Sequence, residues 1–93
     1  AINKYRIDNN NIELYIDRNT GIVHFSWESN TNLDDIKVTI YSVAGYQVFQ
    51  KYFHASGDSI FKGSFNAKNF KPNMYFVQFN NFKTIINKKL IIN

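Results

Sequence analysis

The sequence predicts an all-β fold of about seven short antiparallel strands, and three observations lead to this prediction. Of its 93 residues 17% are aromatic, and aromatic and β-branched side chains favour strands. Turn-forming residues interrupt the chain about every 8–12 residues, the spacing typical of sandwiches and barrels. No segment keeps an apolar period of 3.6 residues beyond about two turns, so we expect little helix.

A segment of weak periodicity, ending in three asparagines, precedes the first regular pattern. We interpret residues 1–11 as a linker and a possible processing region, and residues 12–93 as a single domain. Within the domain, apolar residues recur at every second position, as they do in strands with one buried face. The predicted strands cover residues 12–17, 22–28, 36–42, 46–53, 59–65, 74–79 and 84–92.

The turns between the first five strands follow from residue types. Asn19 and Gly21 lie between strands one and two, and both residue types tolerate a positive φ. Gly45 occupies the same kind of position between strands three and four, where a Cβ would cost about 1–2 kcal/mol. Residues 29–35 form a polar loop. The strand at residues 59–65 is short and polar, which suits a sheet edge.

The turn before the sixth strand contains the single proline of the chain. Pro72 fixes φ, and Asn73 is expected to take the left-handed conformation that glycine usually supplies. In the following strand Tyr75 and Val77 alternate with outward residues. Seven such strands in about 80 residues fit an immunoglobulin-like antiparallel β-sandwich.

Catalytic and metal-binding groups are few. The chain has no cysteine, which excludes disulfides and cysteine-ligated metals. His24 and His54 lack the spacing of zinc ligands, and no alternating acidic loop completes a calcium site around Asp34 and Asp35. We therefore predict no catalytic residue, no metal and no cofactor, and we predict that the protein is not an enzyme.

The net charge of +4 is unevenly distributed. Residues 1–46 carry four basic and six acidic side chains, a sum of −2, whereas residues 47–93 carry seven lysines and one aspartate, a sum of +6. A basic half attracts nucleic acid or anionic lipid, but nucleic-acid readers bring arginines and a recognisable motif. We favour a solvated lysine-rich face and predict no nucleic-acid partner. The apolar runs are too short for membrane insertion, and no signal peptide is visible, so the chain is either cytoplasmic or a piece of a longer one.

Four segments carry a combined resemblance to one family. They are LYIDRNTG at residues 14–21, IKVTIYSVAGYQV at 36–48, FNAKNFKPNMYFV at 65–77 and NKKLIIN at 87–93. In order and spacing they resemble the type A C-terminal sorting domain of the type IX secretion system of Bacteroidota. Both prolines of the family's first motif are missing, and Asn73 replaces the glycine that usually precedes the tyrosine.

The resemblance implies a folded address label on a cargo protein, which enters the periplasm through a signal peptide elsewhere in the chain. Components of the type IX translocon or its shuttle recognise the domain and move the cargo across the outer membrane. A sortase-like protease then removes the domain, and the cargo is released or attached to the cell surface. By analogy, the cut lies in or before residues 1–11.

The resemblance also suggests which residues take part. An exposed sheet edge or end, including the last strand, would dock on the translocon by strand addition or by capture of a terminal carboxylate, and Lys88 and Lys89 would steer an acidic partner. The residues expected in translocon recognition are Gly45, Asn73, Tyr75, Lys88, Lys89, Leu90, Ile91, Ile92 and Asn93. The residues expected to form structural turns are Asn19, Gly21, Gly45, Pro72 and Asn73.

Two alternatives remain open at this point. Leu90, Ile91 and Ile92 suit ordinary closure of the core as well as recognition. The domain as a whole also suits a carbohydrate-binding or adhesion sandwich appended to a secreted protein, which would require an exposed, coplanar aromatic pair. Trp27 shares a strand face with Val23 and Phe25, which favours a place in the core over a place in such a platform.

Overall fold

The computed structural model describes residues 11–29 and 32–93, which form seven antiparallel strands and no helix. One sheet has the order β1-β2-β5 and the other the order β4-β3-β6-β7. The two sheets pack face to face, so the predicted all-β, immunoglobulin-like sandwich is confirmed. The strands are β1 (Asn11–Asp17), β2 (Ile22–Glu28), β3 (Asp35–Ser42), β4 (Gln47–His54), β5 (Ile60–Asn66), β6 (Asn73–Asn80) and β7 (Ile85–Ile92).

Each strand begins and ends within one residue of its predicted position. Among the described residues, β5 pairs only with β2 and is an edge strand, as its polar sequence predicted. The predicted linker, residues 1–11, lies outside the described residues except for Asn11, which begins β1 opposite Glu28. Within the described ranges, no helix is long and apolar enough to cross a membrane.

The core lies between the sheets and is built from the alternate apolar residues of β2, β3 and β6. Trp27 has no exposed surface, and its indole meets the ring of Phe79 edge to face at a centroid distance of 6.1 Å. The predicted place of Trp27 in the core is therefore confirmed. The fully buried apolar side chains are Trp27, Phe79, Leu33, Ile36, Ile40, Val23, Val38 and Val77.

The conformation predicted for Asn73 is wrong. Apart from glycines, only Ser56 and Phe82 have a positive φ among the described residues. The chain reverses earlier, where the Phe70 N–H donates to the Ala67 carbonyl at 3.0 Å. Asn73 is consequently already the first residue of β6, in extended backbone.

The antiparallel pairing gives the sandwich two distinct ends. One end carries the β1–β2 turn, the β3–β4 turn, the loop at residues 67–72 and the last residues of β7. We call it the motif end, because all four resembling segments contribute to it. The opposite end carries the start of β1 together with the loops at residues 55–59 and 81–84.

Candidate functional site

A groove of about 450 Å³ opens at the motif end. Its walls come from the β1–β2 turn, from the loop at residues 67–72 and from the end of β7, segments that are far apart in the sequence. The predicted residues that line this groove are Asn19, Gly21, Pro72, Ile92 and Asn93. The fold thus brings part of the predicted set into one concave surface.

The β1–β2 turn is fixed by Gly21. Its φ is +76°, its N–H donates to the Asp17 carbonyl at 2.8 Å, and an added Cβ would lie 3.1 Å from the Cα of Lys68. Its own carbonyl accepts the N–H of Ala67 at 2.9 Å, which ties the turn to the loop at residues 67–72. The Asn19 N–H donates to Oδ1 of Asp17 at 3.0 Å. Glycine is therefore required at position 21 both by conformation and by close approach.

Tyr75, predicted to take part in recognition, lies inside the sandwich. Its side chain is 7% exposed, and its hydroxyl donates to the Lys71 carbonyl at 2.7 Å. Its ring packs against Phe70 at a centroid distance of 5.3 Å, and Phe70 in turn packs against Phe49. A tyrosine near the start of the sixth strand that bonds back to the preceding corner is a known feature of immunoglobulin-like sandwiches. Tyr75 thus positions the wall of the groove from within.

Replacing Tyr75 with phenylalanine is expected to lower the free energy of unfolding by about 1 kcal/mol, because the Lys71 carbonyl loses its donor in a partly buried place. Chemical denaturation measures the change. Tyr52→Phe, at a side chain that is 60% exposed, is the matched control and should leave the free energy of unfolding unchanged. Equal stability of Tyr75→Phe and the parent chain would show that the hydroxyl does not hold the loop.

The β3–β4 turn projects from the motif end. Gly45 has a φ of +90°, as predicted, and its N–H donates to the Ser42 carbonyl at 2.9 Å. No atom lies within 4 Å of an added Cβ, so conformation alone requires glycine there. The neighbouring side chains of Val43 and Tyr46 are 51% and 72% exposed. This turn is therefore an accessible apolar projection.

The end of β7 divides its residues between the core and the surface. Leu90 and Ile92 are 4% and 8% exposed and close the core, whereas Ile91 is 55% exposed. In the part of the chain that the structure describes, β7 is an edge strand that pairs only with β6, and β1 of the other sheet approaches it without pairing. Core closure by Leu90 and Ile92 is confirmed, which leaves Ile91 as the apolar residue of this segment that faces solvent.

Lys88 and Lys89 lie on opposite faces of their sheet. Lys88 is opposite Val77 on the inner face and is half-buried, whereas Lys89 is opposite Phe76 on the outer face and is exposed. Because successive side chains of a strand point in opposite directions, the two ammonium groups do not form one patch. Of the two, only Lys89 is exposed, on the outer face of the sheet.

The lysines of the basic half are spread over the whole molecule. Lys68 and Lys71 lie at the motif end, Lys83 lies at the opposite end, and Lys62 lies on the outer face of the three-stranded sheet. Sequence reasoning missed that Lys68 lines the groove together with Arg18. The sequence feature that could have identified Lys68 and Arg18 is the presence of a charged residue within each of the two turn motifs. The carboxylate next to Arg18 in the sequence, that of Asp17, accepts a backbone N–H.

The histidines and acidic residues form no larger cluster. His54 and Asp35 make an exposed contact of 2.9 Å between Nδ1 and Oδ1, at the opposite end of the sandwich. The ring of His24 stacks on that of Tyr15 on a sheet face. Within residues 11–29 and 32–93, no group of three or more histidine and acidic side chains is arranged to hold a metal ion.

Comparison with known proteins identifies a family. Residues 19–93 match a family model described as a secretion system C-terminal sorting domain. The matched range begins inside the β1–β2 turn and contains β2 to β7, the β3–β4 turn and the loop at residues 67–72. No curated protein matches the chain significantly.

Proposed function

Since the chain belongs to the family of secretion system C-terminal sorting domains, we propose that it directs a fused upstream cargo across the outer membrane through the type IX secretion system. The family is one of sorting signals rather than of enzymes. A protein that carries such a domain is secreted or displayed on the cell surface. The periplasmic route and a source among the Bacteroidota are parts of the proposal.

We place recognition by the translocon or its shuttle at the motif end. The supporting observation is that the segments resembling the family's motifs meet there, around a groove lined by Arg18, Lys68 and the end of β7. The projecting turn at Gly45 and the outward side chains of Lys89 and Ile91 extend this surface. An acidic partner with an apolar contact region fits these groups.

The place where an upstream cargo would join the sandwich agrees with recognition at the motif end. β1 starts at the end of the sandwich opposite to the motif end. A cargo fused upstream is therefore joined to the sandwich at the end that lies away from the proposed recognition surface. Cleavage by a sortase-like protease in or before residues 1–11 would release the cargo without disturbing the sandwich.

A secretion assay tests the proposal. A reporter protein with a signal peptide is fused upstream of the 93-residue chain and expressed in a bacterium that has a type IX system. We expect the reporter in the medium or on the cell surface, and we expect it in the periplasm when the translocon is inactivated. The reporter without the chain should stay in the periplasm of both strains. Equal release of the fusion from both strains would contradict the proposal.

A further inference from the structure

A second groove, of about 430 Å³, lies on the outer face of the three-stranded sheet, apart from the motif end. Two neighbouring rows of outward side chains surround it, each crossing β1, β2 and β5. The strand register places Glu13, Ser26 and Lys62 in one row and Tyr15, His24 and Ser64 in the next. The short side chains of Ser26 and Ser64 form the bottom of the groove, and the longer side chains of the two rows form its sides.

One wall of this groove is aromatic. The rings of Tyr15 and His24 stack with a centroid distance of 5.1 Å and an interplanar angle of 22°. Although His24 covers one face of the phenol ring, Tyr15 is still 61% exposed. The ring is thus held in place by its neighbour and keeps surface open to a ligand. An aromatic side chain of this kind combines an apolar face with a polar hydroxyl.

Phe25 and Gly63 also line the groove, and its remaining side chains are polar and electrically balanced. Glu13 supplies acceptors and Lys62 supplies donors, at the two ends of one row, with the hydroxyl of Ser26 between them. Two strand spacings, about 10 Å, separate the backbones of Glu13 and Lys62. Because one carboxylate and one ammonium group sum to zero, the groove attracts neither anions nor cations by net charge, and a neutral polar ligand meets both groups as hydrogen-bond partners.

We propose that this groove binds a neutral saccharide. The C–H face of a pyranose ring is apolar and suits the exposed aromatic wall of Tyr15 and His24, while its hydroxyls donate to Glu13 and accept from Lys62, with the serines available for both roles. A purely apolar ligand would leave these polar groups without partners. The volume lies in the range of small-molecule sites, in which a few polar groups orient a ligand against apolar walls.

Titration of the full chain with neutral disaccharides, followed by nuclear magnetic resonance, tests the proposal. The probes are cellobiose, maltose, lactose and di-N-acetylchitobiose. We expect at least one of them to shift the amide resonances of Tyr15, His24 and Ser64 in a saturable way, with a dissociation constant of about 1 mM. No saturable shift with any of the four would overturn the proposal.

Variants locate the binding. Tyr15→Ala should weaken binding by about tenfold, and Lys62→Gln should weaken it several-fold without removing an apolar contact. Tyr52→Ala is the matched control, because Tyr52 is 60% exposed on the other sheet, and it should bind as the parent chain does. Equal weakening by Tyr52→Ala, or unchanged binding by both Tyr15→Ala and Lys62→Gln, would contradict the site. None of these outcomes depends on the secretion assay.

Discussion

Replacing Trp27 with alanine is expected to lower the free energy of unfolding by about 3–5 kcal/mol. Trp27 has no exposed surface and packs edge to face on Phe79, so the variant loses apolar burial and leaves a cavity between the sheets. Small domains are stable by only about 5–15 kcal/mol. Chemical denaturation followed by circular dichroism should therefore show a strong shift of the midpoint to lower denaturant.

A surface aromatic provides the comparison for this variant. Tyr46 is 72% exposed in the β3–β4 turn, and Tyr46→Ala should change the free energy of unfolding by no more than about 0.5 kcal/mol. If Trp27→Ala were as stable as Tyr46→Ala, the indole would not be part of the core. Because the proposed signal is a folded surface, the reporter fused to Trp27→Ala should also be exported less as the folded fraction falls.

Most of the fold could be predicted from local sequence. The period of two along each strand and the glycines at the turns determine where strands begin and end, because both effects act over a few residues. Trp27 illustrates this, since its place beside Val23 and Phe25 on one strand face was enough to assign it to the core. The polar composition of residues 59–65 likewise predicted the edge position of β5.

Elements that depend on non-local contacts could not be predicted in the same way. Leu33 lies in a segment of polar composition, yet it is fully buried, because its backbone bonds to the loop at residues 55–59 through Gly57 and Asp58. Asn73 was assigned a left-handed conformation from its neighbours Pro72 and Met74. The reversal occurs earlier, so Asn73 and Met74 are already the first residues of β6.

The candidate site was predictable only in part for the same reason. The turn residues Gly21 and Gly45 were found by their chemistry, and the structure places both at the motif end. Their meeting with Lys68 and Ile92 depends on how the two sheets pack, which no short segment encodes. Tyr75 was predicted to take part in recognition, but its hydroxyl donates to the Lys71 carbonyl in the adjoining loop and its ring is buried in the sandwich.

The second large effect that we predict is a loss of export caused by Lys68→Glu, without a loss of stability. Lys68→Glu and Lys83→Glu make the same charge change at opposite ends of the sandwich. Both lysines are exposed, and each donates its backbone N–H to an asparagine side chain two residues earlier, at 2.8 Å for Lys68 and 2.9 Å for Lys83. Because these bonds do not involve the ammonium groups, both variants should be as stable as the parent chain within about 0.5 kcal/mol.

The two variants differ in what they present to a translocon partner. Lys68→Glu puts a carboxylate into the groove beside Arg18, where we propose that an acidic partner docks. A like-charge contact in an interface costs several kcal/mol, so export should fall by at least about tenfold. Lys83→Glu leaves the motif end unchanged and should not affect export.

The secreted fraction of one reporter, fused upstream of the parent chain, Lys68→Glu and Lys83→Glu and measured side by side, tests the role of the motif end most directly. We expect the reporter on Lys68→Glu to stay in the cell and the other two fusions to be exported equally. Normal export of Lys68→Glu, or equal retention of both variants with their folds intact, would contradict it.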